Sequence, residues 1–152
     1  MPIYIMPQYH TLKSSSSSVE QNIHKPCLAQ HALFISEQNQ DVEWLRDRFE
    51  LIERYLTWYE NHARHESGLY FWINDSAIGV DNDPCTFYRP KKSSASIYLN
   101  CLMYQELLAT AKLAELFGLA TKKAFYEDKA TLLKDSIQEH CWDERDGFFY
   151  IV

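Results

Sequence analysis

The residues best suited to chemistry in this chain are concentrated in one segment, 72–94. It contains three aspartates (Asp75, Asp81 and Asp83) and two asparagines, together with aromatic and basic side chains. A loop of this length inside a compact domain usually has a function, and its scattered apolar residues argue against disorder. Burial beside aromatic rings such as Trp72, or repulsion from a neighbouring aspartate, would raise the pKa of an aspartate in this loop and suit it to donate a proton.

Two other interpretations of this loop remain open. Asp and Asn also favour tight turns, and Gly79 and Pro84 bracket Asp81. The hard oxygen ligands of Asp75, Asp81, Asn82 and Asp83 could bind calcium, but the spacing of an EF-hand is absent. His62 and His65 could in principle bind a metal, although a solvated helix end is the simpler interpretation. We therefore predict no metal and no cofactor.

Composition limits the classes of partner. The formal charge of −6 disfavours nucleic acid, which needs a concentrated basic face. No apolar run approaches the ~20 residues that span a bilayer. The cysteines (Cys27, Cys85, Cys101 and Cys141) lack metal-ligand spacing, and three lie in apolar helical stretches, so we predict buried free thiols. This slightly favours a cytoplasmic over a periplasmic location.

Two helices of different character precede the loop. Residues 1–24, with five consecutive serines, are predicted to form a flexible tail, and 25–152 the folded domain. Residues 26–38 are apolar on nearly every side and predict a buried helix. Asp41 is a plausible N-cap for an amphipathic helix over 42–64, with one apolar stripe at Leu45, Phe49, Ile52, Leu56 and Tyr59.

The same order recurs after the loop. Residues 94–118 predict a second buried helix that stops at Gly118, and 120–141 predict an amphipathic helix with one stripe at Tyr126, Ala130, Leu133, Ile137 and Cys141. Each amphipathic helix is followed by a glycine turn, at Gly68 and Gly147, and a short aromatic strand.

This repeat indicates an all-α fold built of two α/α hairpins with short aromatic strands. Tetratricopeptide and ankyrin arrays have a shorter period, of ~33 to 34 residues, and helices of similar amphipathicity. All-round apolar helices inside a ring of amphipathic ones are typical of an α/α toroid. The chain is therefore predicted to form part of such a toroid, with a pocket at one end of its inner helices.

Three stretches of sequence carry a resemblance to a known family. The runs "GLYFWINDSAIGVDNDP", "SIYLNCLMYQELLATAKLAELFG" and "CWDERDGFFYIV" resemble the catalytic domain of glycoside hydrolase family sixty-three and its mannosylglycerate hydrolase-like and trehalase-like relatives. The resemblance covers residues 26–152. It implies a barrel of six α/α hairpins that hydrolyses α-glucosides, α-mannosides or related glycosides with inversion.

The resemblance also implies roles for individual residues. Asp81 matches the family's general acid and Asn82 the asparagine after it, while Asn100 matches the asparagine of a "D-L-N-A" motif whose aspartate is replaced by Tyr98. Around them, Trp72 and Tyr88 could form a platform for a sugar ring, and Asp83 is a further candidate for substrate binding. Arg89 and the two lysines, Lys91 and Lys92, could position hydroxyls or an anionic aglycone.

The general base of this family is a glutamate on a later hairpin, so the chain is expected to be an N-terminal portion of a barrel that lacks the base. Within the chain, Glu37, Glu66 and Glu106 are candidate substitutes. The alternative is a noncatalytic helical module that binds carbohydrate or protein. Self-association, for example of three copies, could cover apolar helix faces left exposed.

Overall fold

Two helical hairpins form the body of the protein, as described by a computed structural model for residues 3–4, 22–23, 25–73, 75–78, 80, 83–87 and 89–152. The first hairpin contains α1 (Leu28–Asn39) and a 3-10 helix (Glu43–Arg48) that leads into α2 (Phe49–His62). After the short α3 (Asp75–Ile78), the second hairpin contains α4 (Ile97–Leu116) and α5 (Ala120–Cys141). The fold is mostly helical, and the predicted partial α/α toroid is confirmed.

The outer helices α2 and α5 follow the predicted pattern closely. Every residue of the two predicted stripes is buried, and α5 has the predicted limits. The Asp41 carboxylate accepts a hydrogen bond from the Glu43 N–H at 2.8 Å, but the helical segment begins at Glu43, so its N-cap residue is Val42 and not the predicted Asp41. The first turns of this predicted helix are 3-10 rather than α, a common arrangement where a helix begins.

The inner helix α4 is buried along part of its circumference, while Tyr98 and Leu116 on it are exposed. Leu99, Met103 and Leu113 have no exposed area, so each contributes roughly 1.5–3 kcal/mol through burial. At the start of the helix, the Ser96 hydroxyl accepts a hydrogen bond from the Tyr98 N–H at 3.2 Å, which satisfies one unpaired donor of the first turn. Gly118, at φ +73°, ends the helix in the left-handed conformation that glycine adopts without steric cost.

The expectation that α1 is buried on all sides is wrong for this chain. Ala29 and Ala32 are buried, and α1 packs against α4, but Phe34 is 60% exposed and Ile35 45% exposed. An apolar helix buries only the faces that meet another element, and no described element covers these two residues. Cys101 on α4 is likewise exposed, because its face of the helix meets no other described element. The predicted burial holds for Cys85 and Cys141.

Salt bridges tie the two outer helices together. Lys122 on α5 contacts Glu53 on α2 at 2.5 Å, and Lys129 contacts Glu60 at 2.9 Å. The Tyr126 hydroxyl adds a hydrogen bond to Glu53 at 3.3 Å. Partly exposed ion pairs of this kind contribute at most about 1 kcal/mol each, so the buried stripes supply most of the stability.

Glycine turns follow both outer helices, as predicted. Gly68 and Gly147 have φ of +85° and +60°. β3 (Trp142–Asp143), before Gly147, pairs antiparallel with β4 (Phe148–Phe149), directly after it, and Trp142 lies opposite Phe149. The first turn has only a single bridge, between Arg64 and Tyr70, where we predicted a strand.

Two short strands lie within the predicted N-terminal tail. Backbone pairing joins β1 (Ile3–Tyr4) to β2 (Asn22–Ile23) in antiparallel register. The boundary at residue 24 and the flexibility of the tail stay predictions. Among the described residues, no helix is both long enough and apolar enough to cross a bilayer.

Candidate functional site

The ends of the acidic loop are joined by backbone hydrogen bonds. The Trp72 N–H donates to the Ser94 carbonyl at 3.3 Å, and the Lys92 N–H donates to the Ile73 carbonyl at 3.2 Å. Residues 72–94 therefore leave and rejoin the body of the protein at one point. This stem lies immediately before the N-terminus of the inner helix α4.

Two buried residues anchor the body of the loop on either side of its centre. Ile78 has no exposed area, and Cys85 is 2% exposed within the same apolar core. The predicted general acid Asp81 and its neighbour Asn82 lie between these anchors, but they are outside the described residues. Tyr88, the predicted partner of Trp72 in a sugar platform, also lies outside them.

The described carboxylate of this loop, Asp83, takes part in a local turn. Its Oδ1 accepts hydrogen bonds from the Cys85 N–H at 2.8 Å and from the Cys85 thiol at 2.6 Å. Burial, assisted by the adjacent Asp83 carboxylate, raises the pKa of the thiol to about 11. Cys85 is thus a neutral donor near neutral pH, and Asp83 fixes the chain directly after Asn82.

Asn100 supports the stem of the loop, where Trp72 and Ile73 pair with Ser94 and Lys92, through hydrogen bonds to the adjoining backbone. Its Oδ1 accepts the Tyr70 N–H at 2.8 Å, and its Nδ2 donates to the carbonyls of Tyr70 at 2.9 Å and Ser96 at 2.8 Å. The side chain is fully buried, and both N–H donors of its amide are in use. The structure therefore gives Asn100 a positioning role, and its predicted contact with a sugar finds no support in this geometry.

Trp72 belongs to the core rather than to an exposed platform. The residue is 3% exposed, and its ring lies 6.0 Å from that of Tyr98. Its Nε1 is buried without a hydrogen-bond partner in the part of the chain that the structure describes. With its ring buried in the core, Trp72 does not present an open face to a ligand, so this geometry gives no support to its predicted part in a sugar platform.

Arg89 is a predicted ligand-contacting residue that remains exposed. Its backbone N–H donates to the Thr86 carbonyl at 3.2 Å, which holds the chain in a turn. The exposed position leaves the guanidinium accessible to a ligand. A contact between Arg89 and a substrate stays a prediction.

The three candidate substitutes for the general base have different surroundings. Glu37 and Glu66 are exposed, whereas Glu106 is fully buried in the middle of α4. The Glu106 carboxylate accepts the backbone N–H groups of Ala29 at 2.6 Å and Gln30 at 3.2 Å. It therefore caps the N-terminus of α1, where a negative charge is favourable, and is not accessible to activate water.

Burial raises the pKa of Glu106, although the backbone hydrogen bonds from Ala29 and Gln30 act in the opposite direction. The Gln30 side chain adds a further donor at 3.2 Å. This cap joins the two inner helices, and sequence reasoning did not find it. A carboxylate within the largely apolar stretch 97–111 of α4 was the signal that could have indicated a buried backbone partner.

A second polar cluster that the sequence did not indicate lies below the first glycine turn. Glu60 on α2 accepts the Tyr70 hydroxyl at 2.5 Å, contacts Arg64 at 2.8 Å and pairs with Lys129. Burial alone would raise the pKa of Glu60, but the hydrogen bonds from Tyr70 and Lys129 outweigh it and lower the pKa. Tyr70 is thus held at its backbone by Asn100 and at its hydroxyl by Glu60.

The described residues do not bring three or more potential metal ligands together. His62 stacks on Trp58 with ring centroids 4.9 Å apart, and its Nδ1 lies 2.9 Å from the Trp58 carbonyl. The calcium alternative depended on Asp75, Asp81, Asn82 and Asp83. The side chain of Asp75, like Asp81 and Asn82, is outside the described residues.

Comparisons with known proteins agree with this architecture. The family model described as the mannosylglycerate hydrolase MGH1-like glycoside hydrolase domain matches residues 7–152. The protein is therefore a glycosidase-type α/α domain, and the chain belongs to the MGH1-like glycoside hydrolase family. The match begins within the predicted tail and includes the whole loop.

Two individual proteins extend this comparison. An uncharacterised protein of Borreliella burgdorferi is 26% identical over 132 residues, which are 86% of this chain and 26% of that protein. A solved structure described as a sialidase is similar in fold, with a TM-score of 0.66 and 24% identity over 74% of this chain and 10% of that one. The chain thus spans about a quarter of the first protein and a tenth of the second.

Proposed function

We propose that this chain forms part of the catalytic domain of an inverting α-glycosidase, of the α-glucosidase or α-mannosidase type, in which Asp81 is the general acid. Family membership supports a carbohydrate substrate. The observation that carries the proposal is the anchoring of the loop around Asp81, between the buried Ile78 and Cys85 and above a stem closed at Trp72 and Ser94. A proton donor must be held in such a fixed frame to reach the glycosidic oxygen.

The proposed reaction uses two carboxyl groups. Asp81, in its protonated form, would donate its proton to the leaving oxygen as the glycosidic bond breaks. A second carboxylate would remove a proton from the water that attacks the opposite face of the sugar, at a separation of about 6.5–9.5 Å from the first. Since Glu106 caps α1 and is fully buried, we do not assign the base to Glu106.

Replacing Asp81 tests this assignment in the enzyme as its gene encodes it. For D81N, we expect hydrolysis of α-glycosides with poor leaving groups to fall by about 10²–10⁴-fold, the usual contribution of a general acid. Dinitrophenyl glycosides, whose leaving group needs little protonation, should lose much less. The matched control D128N changes an exposed aspartate on α5 and should retain the full rate on both classes.

The stereochemistry of the product provides a separate test. Proton NMR during hydrolysis of an α-glycoside should detect the β-anomer first if water attacks directly with inversion. Initial release of the α-anomer would contradict the inverting mechanism. Equal loss of rate by D81N on good and poor leaving groups would contradict the acid role.

A noncatalytic module is the second candidate, and the exposed apolar residues of the inner helices favour it. Phe34 and Ile35 on α1 and Leu116 on α4 are 60%, 45% and 43% exposed. Such residues commonly mark a surface that another protein or another part of the same protein covers. Glycoside turnover by the 152-residue chain would exclude this candidate, whereas saccharide binding without turnover would support it.

A further inference from the structure

A strand of the N-terminal segment lies beside the acidic loop. β2 (Asn22–Ile23) pairs with β1 (Ile3–Tyr4) on one side. Cα atoms of β2 also lie within 8 Å of Cα atoms of α3 (Asp75–Ile78), the short helix of the loop. Since Asp81 follows the end of α3 by three positions, β2 lies against the part of the loop that leads directly to the proposed general acid.

Lys25, two positions after β2, is fixed to the body of the protein through its backbone. Its carbonyl accepts hydrogen bonds from the Tyr55 hydroxyl at 2.5 Å and from the Cys27 N–H at 2.8 Å. Tyr55 on α2 has no exposed area, so the first of these bonds reaches into the core. Two residues of extended chain span at most about 7 Å, so the end of β2 lies no farther than this from the anchored Lys25.

The Lys25 side chain makes a second connection, to the start of α4. Its Nζ lies 5.4 Å from the centre of the Tyr98 ring, within the range of a cation–π interaction. The Tyr98 ring in turn lies 6.0 Å from that of Trp72, at the stem of the loop. Lys25 therefore joins the N-terminal segment to the end of α4 that also holds the loop.

The residues that follow Lys25 are attached to the inner helix as well. Gln30 Nε2 donates to the carbonyls of Pro26 at 2.8 Å and Leu102 at 3.2 Å. The Glu106 carboxylate caps the N-terminus of α1. The chain from Lys25 into α1 is thus fixed to both α2 and α4, which gives β2 a firm base.

The family match includes this segment. It begins at residue 7, whereas the predicted domain boundary lies after residue 24. β2 and Lys25 are therefore within the matched domain and not in a segment attached to it.

We propose that β2 and Lys25 form a brace, the N-terminal brace, which holds α3 and with it the acidic loop against the start of α4. Asn100 holds the stem of the loop, and the brace holds the limb between the stem and Asp81. The consequence for catalysis rests on the proposed function: the brace keeps Asp81 where it can reach the glycosidic oxygen. Part of the predicted flexible tail is, on this proposal, a structural element of the catalytic domain.

Hydrogen–deuterium exchange of the 152-residue chain, measured by mass spectrometry, tests the brace without an activity assay. Peptides from residues 72–87 contain amides that are protected by hydrogen bonds within the loop, including those of Cys85 and Phe87. These amides exchange when the loop opens. A variant without residues 1–24 should exchange them roughly tenfold faster, with unchanged exchange in peptides from α5.

Point variants test the contact of Lys25 with Tyr98 in the full chain. K25M keeps a long side chain without the charge and should speed exchange in the loop about two- to fivefold, the range for one exposed cation–π contact. K25R retains a cation over the ring and should match the native chain. K134M removes an exposed lysine from α5 and should match it too. Melting temperatures verify that each variant is folded, and K25M provides the test if the shortened chain does not fold.

The brace also predicts a kinetic effect in the enzyme as its gene encodes it. Removal of residues 1–24 should slow the hydrolysis of α-glycosides with poor leaving groups by a larger factor than that of dinitrophenyl glycosides. The reason is that a displaced Asp81 donates its proton less effectively, and only poor leaving groups need that proton.

Two results would overturn the brace. One is unchanged exchange of the loop in K25M and in the folded shortened chain. The other is equal acceleration in the loop and in α5, which would mean that the changes lower only the global stability. Faster exchange in the loop alone, with equal loss of rate on both classes of glycoside, would support the brace and contradict the acid role of Asp81, so the two proposals fail separately.

Discussion

Replacement of Asn100 by alanine should loosen the loop that contains Asp81. The asparagine amide pairs with both backbone groups of Tyr70, at 2.8 and 2.9 Å, and Tyr70 itself is 2% exposed. In N100A these groups lose their partners where water does not reach them. The Ser96 carbonyl keeps its helical hydrogen bond from the backbone N–H of residue 100, so it is not left unpaired.

The size of the effect follows from the two groups left unpaired. Each buried backbone group without a partner costs about 1–3 kcal/mol, so we expect N100A to lose about 2–6 kcal/mol of the free energy of unfolding. Urea denaturation, followed by circular dichroism, measures this loss. The control N61A removes an exposed asparagine from α2 and should change the stability by less than about 0.5 kcal/mol.

The isosteric variant N100D separates the hydrogen bonds from the volume of the side chain. An aspartate can still accept the Tyr70 N–H, but its second oxygen would face the carbonyls of Tyr70 and Ser96, where Nδ2 now donates. Folding would therefore raise the pKa of this carboxyl group. The free energy of unfolding of N100D should then fall as the pH rises through the raised pKa. Relative to the native chain, N100D should therefore be less stable at pH 7 than at pH 4.

Protease sensitivity relates this stability to the loop. If Asn100 holds the stem, N100A should be cleaved faster than N61A within residues 73–93 under native conditions. A loss of less than about 1 kcal/mol in N100A, with unchanged cleavage of the loop, would refute the positioning role.

Two further predictions concern the turn and the inner-helix cap. Because folding raises the pKa of Glu106 above 4.5, ionisation of this carboxyl group opposes folding. The difference in free energy of unfolding between the native chain and E106Q, measured in urea titrations, should therefore shrink between pH 4 and pH 7. A constant or growing difference would contradict this. G68A should lower the melting temperature more than G147A does. Both glycines have positive φ, but only a Cβ at Gly68 would meet Ser136 Oγ, at 2.5 Å. Equal losses of melting temperature would mean that Ser136 moves aside.

The helices could be predicted because their apolar periodicity depends on neighbouring residues alone. The stripe from Tyr126 to Cys141 repeats every three or four positions, and it identified both the limits of α5 and its buried face. Gly118 and Gly147 marked the ends of elements for an equally local reason, since their left-handed conformations favour glycine. Burial of α1 could not be predicted this way, because exposure of Phe34 depends on which elements stand beside it.

The polar contacts around the site could not be predicted, because they join residues far apart in sequence. Asn100 meets Tyr70 across 30 positions, and Glu106 meets Ala29 across 77. Periodicity places a side chain on a face of a helix but does not identify the backbone group opposite it. The resemblance to a family matched Asn100 to a motif but did not say what the side chain does. In the structure, Asn100 forms hydrogen bonds with the backbone of Tyr70.

The two buried polar residues of α4 have related tasks. Glu106 holds the N-terminus of α1, and Asn100, six positions earlier and about 9 Å away along the helix, holds the stem of the loop. The helix α4 therefore holds both the N-terminus of α1 and the stem of the loop that contains Asp81. The outer helix α2 contributes to this frame through the contacts of Glu60 and Tyr59 with Tyr70. Substitutions on the exposed faces of the outer helices should thus alter stability before they alter the position of the loop, whereas substitutions at the polar positions of α4 should alter both.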